Sequence, residues 1–493
     1  MKLTQLIRNS GTDISVPLVE AEISSVCYDS RRAKEGALFV CLRGTLTDGH
    51  RYARAAYEKG CRCFVCESDP GDLPEDSVIM FSSDTRKALG MLAAEFFGHP
   101  ERRLRLVGIT GTKGKTTTAL MIKSILDASG RSAGYIGSNG VDFCGFHFDT
   151  VNTTPEGCDI YEYFARMVAC GVDTAVLEVS SQALYMNRIQ GLTFDICVFT
   201  NLSRDHIGGS EHPNMEHYKE CKKKLFSEHC SGFALVNADD PLSGEFSRSA
   251  SSADNEVRSF SISKKADYRA SEIEFIRDEN GLGSSFVLNF GGKKIKMKQH
   301  FPGDFSVSNA VAAAAVCDII GVDAERVAEA LAKVSIKGRF ETLSLGGVDY
   351  IIDYAHNGKS LRAVLEVLRL YKPERLICLF GSVGGRTQMR RAELGAVASE
   401  LADLSILTAD NPDCEPVESI IADIAAEYKD KESYVAINDR KKAIEYAVSI
   451  AKRGDIVLLA GKGHEDYQLI AGLRYPFCER EIIINAARVY SEK

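Results

Sequence analysis

One segment of the chain constrains its fold more than any other: an apolar strand pattern that runs through a glycine-rich turn into a helical pattern. It reads Leu106-Val107-Gly108-Ile109-Thr110-Gly111-Thr112-Lys113-Gly114-Lys115-Thr116-Thr117, and the helical pattern continues to Ser129 and ends at Gly130. A strand followed directly by a helix needs a crossover to reach its next parallel neighbour. The segment therefore predicts a parallel sheet covered by helices.

The same turn predicts binding of a nucleoside triphosphate. Glycines let backbone N–H groups surround phosphate oxygens, and the helix N-terminus adds positive potential. Lys115 is then placed to reach the outer phosphates, and the Thr116 hydroxyl to ligate Mg²⁺. A full P-loop has a glycine where this chain has Ile109, but the second half, Gly114-Lys115-Thr116, is intact.

The length of 493 residues, at roughly 150 residues per domain, predicts about three domains in an α/β protein. We place a small α/β domain at 1–101, a central P-loop domain with a parallel sheet at 102–337, and a Rossmann-like α/β domain at 338–493. A polar stretch at 247–255 leads into a predicted pair of antiparallel strands. The predicted strands are 38–42 and 63–66, then 104–110, 175–179, 196–200, 234–237 and an antiparallel pair at 285–290 and 294–297, then 350–353, 376–380 and 456–460.

Charge and composition exclude several classes of function. The net charge of −8 argues against a general binder of nucleic acid or anionic membrane. The first residues lack the apolar core of a signal peptide, and no apolar run approaches the roughly 18 residues of a membrane span, so we expect a cytoplasmic protein without membrane insertion. The 15 cysteines are scattered. We expect reduced, packed thiols, with a disulfide framework or a zinc site as the alternatives.

Two polar residues follow neighbouring predicted strands of the central domain. Glu178 ends one strand, and His206 lies in Asn201-Leu202-Ser203-Arg204-Asp205-His206 after the next. Ligand-handling groups collect at the carboxyl ends of parallel strands, so we expect both to face the phosphate loop and to bind a divalent metal. A basic run at 221–226 on a predicted helix is, by itself, more typical of a solvated face or a phosphate-attracting patch.

These motifs, with others in the same order, resemble those of the Mur ligases of peptidoglycan synthesis. The resemblance is greatest to members that add a diamino acid as the third peptide residue, and it spans essentially the whole chain. The matching segments are Asp29–Arg31, Asp48–His50, Gly111–Thr117, Asn152–Pro155, Glu178–Ser181, Asn201–His206, Gly338–Glu341, Asp353–His356, Asp410–Pro412 and Gly461–Glu465.

The resemblance implies a UDP-binding N-terminal domain, a central ATPase domain and a C-terminal domain that closes over the site. It also implies residue roles. The implied catalytic residues are Lys115, Glu178, His206 and Lys222. The implied ATP-binding residues are Gly111, Thr112, Lys113, Gly114, Lys115, Thr116, Thr117, Asn309, Arg339, Asp353 and His356. The implied UDP-sugar-peptide residues are Ser30, Asp48, Gly49, His50, Asn152, Thr153, Thr154, Ser180 and Arg188. The implied amino-acid-binding residues are Arg386, Asp410, Asn411, Asp413, Gly461 and Glu465. The implied magnesium ligands are Thr116, Glu178, His206 and Lys222.

The role of Lys222 follows from a lysine that the family carbamylates four residues before an aromatic, which is Phe226 here. A carbamate turns this cation into a carboxylate-like metal ligand. The implied reaction joins a free diamino acid to UDP-N-acetylmuramoyl-L-Ala-D-Glu, with ATP, Mg²⁺ and an acyl phosphate intermediate. It belongs to cell wall biogenesis, and hence to cell shape and division. We expect a monomer.

The identity of the added amino acid depends on one departure from the family pattern. Members that add meso-diaminopimelate have Asp-Asn-Pro-Arg, whereas this chain has Asp410-Asn411-Pro412-Asp413. An acid facing the distal carboxylate would repel it, so we expect L-lysine or a similar diamino acid. Glu465 would assist at the ε-ammonium and Arg386 would take the α-carboxylate. The alternative is meso-diaminopimelate, with Asp413 as a cap or turn residue and Arg390 or Arg391 supplying the cation.

Two rival functions remain open at this level. One is a folylpolyglutamate-type amide ligase, against which the motifs at 29–31 and 48–50 argue because they belong to UDP-sugar recognition. The other is a nucleotide-binding regulatory or scaffold protein without catalysis, against which the presence of Lys115, Glu178, His206 and Lys222 argues.

Overall fold

The structure is a computed structural model that describes residues 1–44, 47–208, 211–278, 281–385 and 388–491, with the backbone alone at 490–491. The chain forms two compact units. The first comprises 1–269 and 311–323, and the second comprises 270–310 and 324–493. Two elements, strand β13 (Tyr268–Asp278) and helix α9 (Asp304–Ile320), carry the chain between them. Among the described residues, no helix is both long and apolar enough to cross a membrane.

The first unit begins with a four-stranded parallel sheet in the order β1-β2-β3-β4. All four residues of both β2 and β3 are buried, as expected for strands that are covered on both faces. The strands are β1 (Ser25–Cys27), β2 (Ala37–Val40), β3 (Cys63–Cys66) and β4 (Val78–Phe81), and the helices are α1 (Leu3–Ser10), α2 (Ala53–Glu58) and α3 (Thr85–Phe96).

A larger sheet in the first unit has the strand order β12-β11-β10-β5-β9-β6-β7-β8. Its strands pair in parallel from β12 to β6, and β6, β7 and β8 form an antiparallel meander. The strands are β5 (Arg105–Thr110), β6 (Ala133–Gly137), β7 (Gly140–Phe143), β8 (Phe146–Phe148), β9 (Thr174–Glu178), β10 (Phe194–Phe199), β11 (Cys230–Asn237) and β12 (Glu256–Ser261). The helices are α4 (Lys115–Ala128), α5 (Gly157–Ala169), α6 (Ser181–Tyr185), α7 (Met215–Ser227) and α8 (Ser243–Ser251).

The register of this sheet determines which chain ends meet. Strand β5 lies between β9 and β10, with Ile109 opposite Glu178 and Thr110 opposite Phe199. The carboxyl ends of the three strands therefore lie side by side. The loops that follow them, at 111–114, 179–180 and 200–206, emerge at one edge of the sheet.

The second unit contains an antiparallel hairpin, a six-stranded sheet and a small two-stranded sheet. The six-stranded sheet has the order β16-β17-β21-β18-β19-β20, and all its strand pairs are parallel except β16 with β17. The strands are β14 (Gly281–Phe290), β15 (Lys293–Gln299), β16 (Glu341–Leu345), β17 (Val348–Asp353), β18 (Leu376–Phe380), β19 (Leu404–Leu407), β20 (Tyr434–Ala436), β21 (Ile456–Ala460), β22 (Tyr467–Ile470) and β23 (Leu473–Pro476). The helices are α10 (Ala324–Leu331), α11 (Gly358–Arg369), α12 (Gln388–Leu401), α13 (Val417–Ala425), α14 (Arg440–Ile450) and α15 (Glu479–Ser491).

The predicted α/β class is confirmed, and every predicted strand lies within one or two residues of an observed strand or inside a longer one. The predicted hairpin at 285–297 is antiparallel. Helix α8 covers the first part of the polar stretch at 247–255, up to Ser251, and buries Ala250 there. Three strands of the six-stranded sheet were not predicted: the edge strands β16 and β20, and β19 beside β20. The domain boundaries near 101 and 337 stay predictions.

Candidate active site

The phosphate loop joins β5 to α4 at the centre of the large sheet. Gly111 (φ 151°) and Gly114 (φ 86°) adopt backbone conformations that favour glycine. The Lys115 ammonium donates hydrogen bonds to the carbonyls of Gly111 (2.9 Å) and Thr112 (3.2 Å). The segment after β10 braces the loop, since the Lys113 N–H donates to Asn201 Oδ1 (3.0 Å). The loop thus has the glycine geometry, the lysine and the helix N-terminus predicted from the sequence.

Glu178 is fully buried at the end of β9, beside the phosphate loop. Its Oε1 accepts from the Tyr135 hydroxyl (2.5 Å) and the Ser138 N–H (3.0 Å), and its Oε2 accepts from Thr116 Oγ1 (3.0 Å). These donors fix the orientation of the carboxylate. The contact with Thr116 brings together two of the predicted magnesium ligands, and both offer the hard oxygen atoms that Mg²⁺ prefers.

Lys222 lies on α7 and is only 1% exposed. Its ammonium nitrogen lies 2.9 Å from the Gly111 carbonyl and 4.8 Å from the centre of the Tyr218 ring. Burial, together with the nearby Lys115, holds the pKa of the Lys222 amine well below its usual value. The interpretation of 221–226 as a solvated face is therefore wrong for Lys222, while Lys223 does lie partly in solvent and pairs with Glu220.

His206 lies in the loop after β10, with a positive φ of 56°. Its side chain is 46% exposed, and its Nδ1 lies 3.0 Å from the Glu211 carboxylate. A cavity of about 250 Å³ in the first unit is lined by His206 together with Lys115 and Lys222. The structure therefore brings His206 to the phosphate loop as predicted, whereas Glu178 approaches the loop through Thr116.

The same cavity is lined by several residues assigned to the sugar-peptide by resemblance: Asn152, Thr153, Ser180 and Arg188. Thr153 Oγ1 lies 2.9 Å from Ser138 Oγ. The Arg188 guanidinium is buried and pairs with Glu156 (3.1 Å). Thr154 lies outside the cavity lining, because its buried hydroxyl donates to the Glu178 carbonyl (2.8 Å).

The predicted UDP residues lie beside the first sheet. Asp48 caps a short 3-10 helix (Gly49–Tyr52) by accepting from the His50 N–H (3.0 Å), a contact that lowers the pKa of Asp48. His50 is buried, with Nδ1 2.6 Å from Asp48 and Nε2 accepting from the Glu67 N–H (3.0 Å). Both ring nitrogens are thus engaged in holding the loop. Ser30 starts another 3-10 helix, Ser30–Arg32.

Other residues assigned to ATP lie in the second unit. Asp353 ends β17 and accepts from the Phe340 and Ala355 N–H groups (2.9 Å each). Burial raises the pKa of Asp353, against the lowering effect of Arg339. The Arg339 guanidinium lies 5.0 Å from the Tyr354 ring centre. His356 follows β17, and Asn309 is a buried residue of α9.

The residues assigned to the amino acid surround a lysine that was not predicted as a site residue. Lys462 is fully buried, and its ammonium donates to Asn411 Oδ1 (2.9 Å) and Glu465 Oε2 (3.2 Å) and lies 3.7 Å from Asp410. Gly461 has a φ of 112°, and a Cβ there would lie 2.7 Å from Asp410 Oδ2. Glu465 therefore already has a cationic partner.

Asp413 occupies a turn. It has a positive φ of 51°, and its Oδ1 accepts from the Gly472 N–H (2.7 Å), which ties it to the β22–β23 hairpin. Arg391 is 2% exposed and pairs with Glu415 (2.6 Å) and Asp423 (2.9 Å), so it is not available as a cation for a ligand. Arg386 lies outside the described residues.

Sequence reasoning missed Tyr135, Gly137 and Lys462. Tyr135 lies inside an apolar strand pattern that does not indicate a partner for its hydroxyl. A Cβ at Gly137 would lie 2.2 Å from Glu178 Oε1. The only signal for Lys462 was its place within the matched segment Gly461–Glu465. The 15 cysteines are free thiols, as expected, but not all of them are packed: 11 are buried, whereas Cys144, Cys170 and Cys414 are exposed.

Comparison with known proteins agrees with this architecture. Three family models match the chain: "Mur ligase family, catalytic domain" at 22–97, "Mur ligase middle domain" at 109–317 and "Mur ligase, glutamate ligase domain" at 338–463.

Two curated relatives are UDP-N-acetylmuramoyl-L-alanyl-D-glutamate--2,6-diaminopimelate ligases. That of Syntrophomonas wolfei is 36% identical and aligns over 99% of both chains, and that of Caldanaerobacter subterraneus is 40% identical over 98% of both. A solved structure of an enzyme of that name is 27% identical, with a TM-score of 0.73 over 100% of both chains. With full-length identity at this level and three matched domains, the chain belongs to the Mur ligase family.

Proposed function

We propose that the protein is an ATP-dependent ligase that joins a diamino acid to the D-Glu carboxylate of UDP-N-acetylmuramoyl-L-Ala-D-Glu. The observation that carries this proposal is the cavity of the first unit. Lys115 of the phosphate loop lines it together with Asn152, Thr153 and Arg188, the residues assigned to the acceptor peptide. A phosphoryl donor and a carboxylate acceptor bound there would lie side by side. The names of the full-length relatives support the same reaction.

The reaction has two steps. The acceptor carboxylate attacks the γ-phosphorus of ATP, and the bond from that phosphorus to the β,γ-bridging oxygen breaks. The products of this step are an acyl phosphate and ADP. The amine of the diamino acid then attacks the acyl carbon, loses a proton and expels inorganic phosphate, which forms the amide. Lys115 and the loop N–H groups offset charge on the transferring phosphoryl group.

Thr116 and Glu178 fit a magnesium ion because both offer oxygen atoms, and Mg²⁺ bound there would supply charge neutralisation for the phosphates. His206 is assigned to the same ion by the family pattern and would offer an imidazole nitrogen. The chain's own contribution is orientation. Tyr135 and Ser138 hold Glu178, and Glu178 in turn holds the Thr116 hydroxyl.

Lys222 is proposed to act as a carbamate. Its buried amine has a lowered pKa, and the uncharged amine is the form that attacks CO₂. The addition forms an N–C bond and releases one proton. No carboxylate of the described residues forms an ion pair with Lys222. A carbamate on Lys222 would therefore place a negative charge beside the positive charge of Lys115.

The remaining assignments follow the family pattern and are part of the proposal. Asn309, Arg339, Asp353 and His356 would bind ATP. Ser30 and the segment 48–50 would bind the uridine diphosphate. Both ring nitrogens of His50 already have hydrogen-bond partners within the protein. In this segment the backbone and the 40% exposed Asp48 side chain would therefore contact the ligand.

For the added amino acid we propose 2,6-diaminopimelate. The expectation of L-lysine depended on a free Asp413 carboxylate, but that carboxylate accepts from the Gly472 N–H (2.7 Å). Glu465, the second expected partner of an ε-ammonium, is occupied by Lys462 (3.2 Å). The relatives' names support 2,6-diaminopimelate and give lysine no support.

The decisive assay measures ADP release and the tripeptide product with UDP-N-acetylmuramoyl-L-Ala-D-Glu and Mg²⁺. It offers meso-diaminopimelate, L-lysine and L-ornithine separately. Turnover with meso-diaminopimelate is expected, and turnover with L-lysine alone would restore the argument from Asp413. Activity only with a folate acceptor would replace the proposed acceptor. ATP binding without any amide product would indicate the non-catalytic alternative.

Lys222→Ala tests the carbamate. Activity should fall by about 100-fold or more, as for loss of a preorganised charge, and should recover partly with added formate or acetate. Lys223→Ala is the matched control, because this neighbouring side chain pairs with Glu220 at the surface (2.9 Å). Full activity of Lys222→Ala without a carboxylate would refute the assignment.

A further inference from the structure

A group of soft ligand atoms lies beside the cavity of the first unit and has no role in the proposed reaction. It consists of His212, His217 and Cys221, called here the histidine–cysteine cluster. His217 and Cys221 lie four residues apart on α7 and therefore on one face of that helix. His212 comes from the loop that precedes the helix. Its ring and the Cys221 side chain are buried.

The distances in the cluster suit a tetrahedral ion. The two Nδ1 atoms of His212 and His217 are 2.9 Å apart, and Cys221 Sγ lies 3.8 Å from His217 Nδ1. Zinc bonds of about 2.0–2.1 Å to nitrogen and about 2.3 Å to sulfur place tetrahedral ligands about 3.3 Å (N to N) and about 3.6 Å (N to S) apart. All three ligand atoms lie within 4.8 Å of one another, so small side-chain rotations complete the set.

Neighbouring side chains fix the orientation of the two histidine rings, as the residues around the ligands of a metal ion commonly do. His212 Nε2 lies 2.9 Å from Ser181 Oγ, so Nδ1 can face an ion while Nε2–H donates to the hydroxyl. The Tyr185 ring packs edge-on against His217, with ring centres 4.9 Å apart. Main-chain hydrogen bonds tie the His212 loop to the His206 turn, since the His212 N–H donates to the His206 carbonyl (3.2 Å).

We propose that the histidine–cysteine cluster binds one zinc ion through His212, His217 and Cys221. Two imidazoles and a thiolate select zinc over magnesium, which prefers oxygen ligands. Binding displaces the thiol proton of Cys221 and links the loop carrying His206 to the helix carrying Lys222. His212 also lines the cavity, so the fourth ligand comes from water or a bound anion on that side. The zinc ion would hold this loop and this helix in position. The proposal that zinc binds here does not depend on the proposed ligase reaction.

The test uses the full chain, purified after growth in zinc-supplemented medium. Metal analysis should find one zinc per chain, and the cobalt-substituted protein should show a thiolate-to-cobalt charge-transfer band. Cys221→Ala and His217→Asn should each lower zinc affinity by about 100-fold or more, and Ser181→Ala by about 10-fold. Cys170→Ala is the control, because that exposed thiol belongs to the same unit. Excess Mg²⁺ should not displace the zinc.

Three results would overturn the proposal: no stoichiometric zinc in the wild type, no charge-transfer band with cobalt, or unchanged zinc affinity in both Cys221→Ala and His217→Asn. Circular dichroism of each variant, compared with the wild type, separates loss of the ligand from loss of the fold. Since zinc content is measured without turnover, failure of the ligase assay leaves this test intact.

Discussion

Replacing Tyr135 by Phe removes one buried oxygen atom from the support of Glu178. The Tyr135 hydroxyl donates to Glu178 Oε1 (2.5 Å) and accepts from the Asn139 N–H (3.1 Å). The residue is 1% exposed, so water cannot replace the lost partner. The substitution leaves the β6 backbone and the aromatic ring in place.

The magnitude follows from these two contacts. A hydrogen bond to a charged group is worth about 1.5–3 kcal/mol, and a stranded buried donor costs about 1–3 kcal/mol. Glu178 Oε1 keeps the Ser138 N–H (3.0 Å), which reduces the total. We therefore expect Tyr135→Phe to lower the free energy of unfolding of the first unit by about 2–4 kcal/mol. The concentration of Mg²⁺ needed for half-maximal ATP turnover should also rise.

Tyr161→Phe is the matched control. Tyr161 is also fully buried in the first unit, but its hydroxyl lacks a hydrogen-bond partner among the described residues. Removing that hydroxyl ends a burial penalty, so this variant should be as stable as the wild type or up to about 1 kcal/mol more stable.

The assay combines urea denaturation, followed by circular dichroism, with hydrogen exchange measured by mass spectrometry. Peptides that cover β5, β6 and β9 should lose protection in Tyr135→Phe and keep it in Tyr161→Phe. Equal effects of the two substitutions would refute the reasoning, because they would show that the contacts of the Tyr135 hydroxyl contribute no net stability.

Three further predictions concern buried positions. Gly137→Ala should lower Mg²⁺-dependent turnover at least about 10-fold and lower the free energy of unfolding by about 1–3 kcal/mol, because the new Cβ would lie 2.2 Å from Glu178 Oε1. Gly244→Ala is the control, because the nearest contact of its Cβ would be at 3.5 Å. Equal turnover in the two variants would contradict the prediction. Arg391→Met should lower the free energy of unfolding by about 2 kcal/mol near neutral pH. The Arg391 guanidinium and the Gly385 N–H lower the pKa of Glu415 from 4.5 to about 2. The stabilisation from the Arg391–Glu415 pair is therefore complete above pH 4.5 and is lost as the pH falls toward 2. If the variant and the wild type still differ in free energy of unfolding at pH 2, this prediction is wrong. Lys462→Met should lower the free energy of unfolding by about 3–5 kcal/mol, because Asp410 and Glu465 would lose their buried cation. An unchanged free energy of unfolding in urea denaturation would contradict this prediction.

The sequence predicted the parts of the site that are local in the chain. The phosphate loop needs glycines, a lysine and a helix start within about a dozen consecutive residues, so spacing alone indicated it. Glu178 and His206 were placed correctly at one sheet edge because parallel strands present their carboxyl ends together. The family resemblance assigned a role to Lys222 through its spacing from Phe226, but it did not indicate the burial of Lys222 against Gly111.

Only the tertiary structure showed the partners of the buried polar side chains, which the hydrophobic periodicity of the sequence does not indicate. A strand or helix pattern shows which face of an element is buried, but not which side chain of a distant element meets it. Tyr135 reaches Glu178 across 43 residues of chain, and Lys462 reaches Asn411 across 51. Asp413 looked like a determinant of specificity from its motif, and only the fold showed its carboxylate engaged in a turn with Gly472. Local chemistry is encoded in spacing, whereas the partners of buried polar groups depend on the packing of the whole sheet.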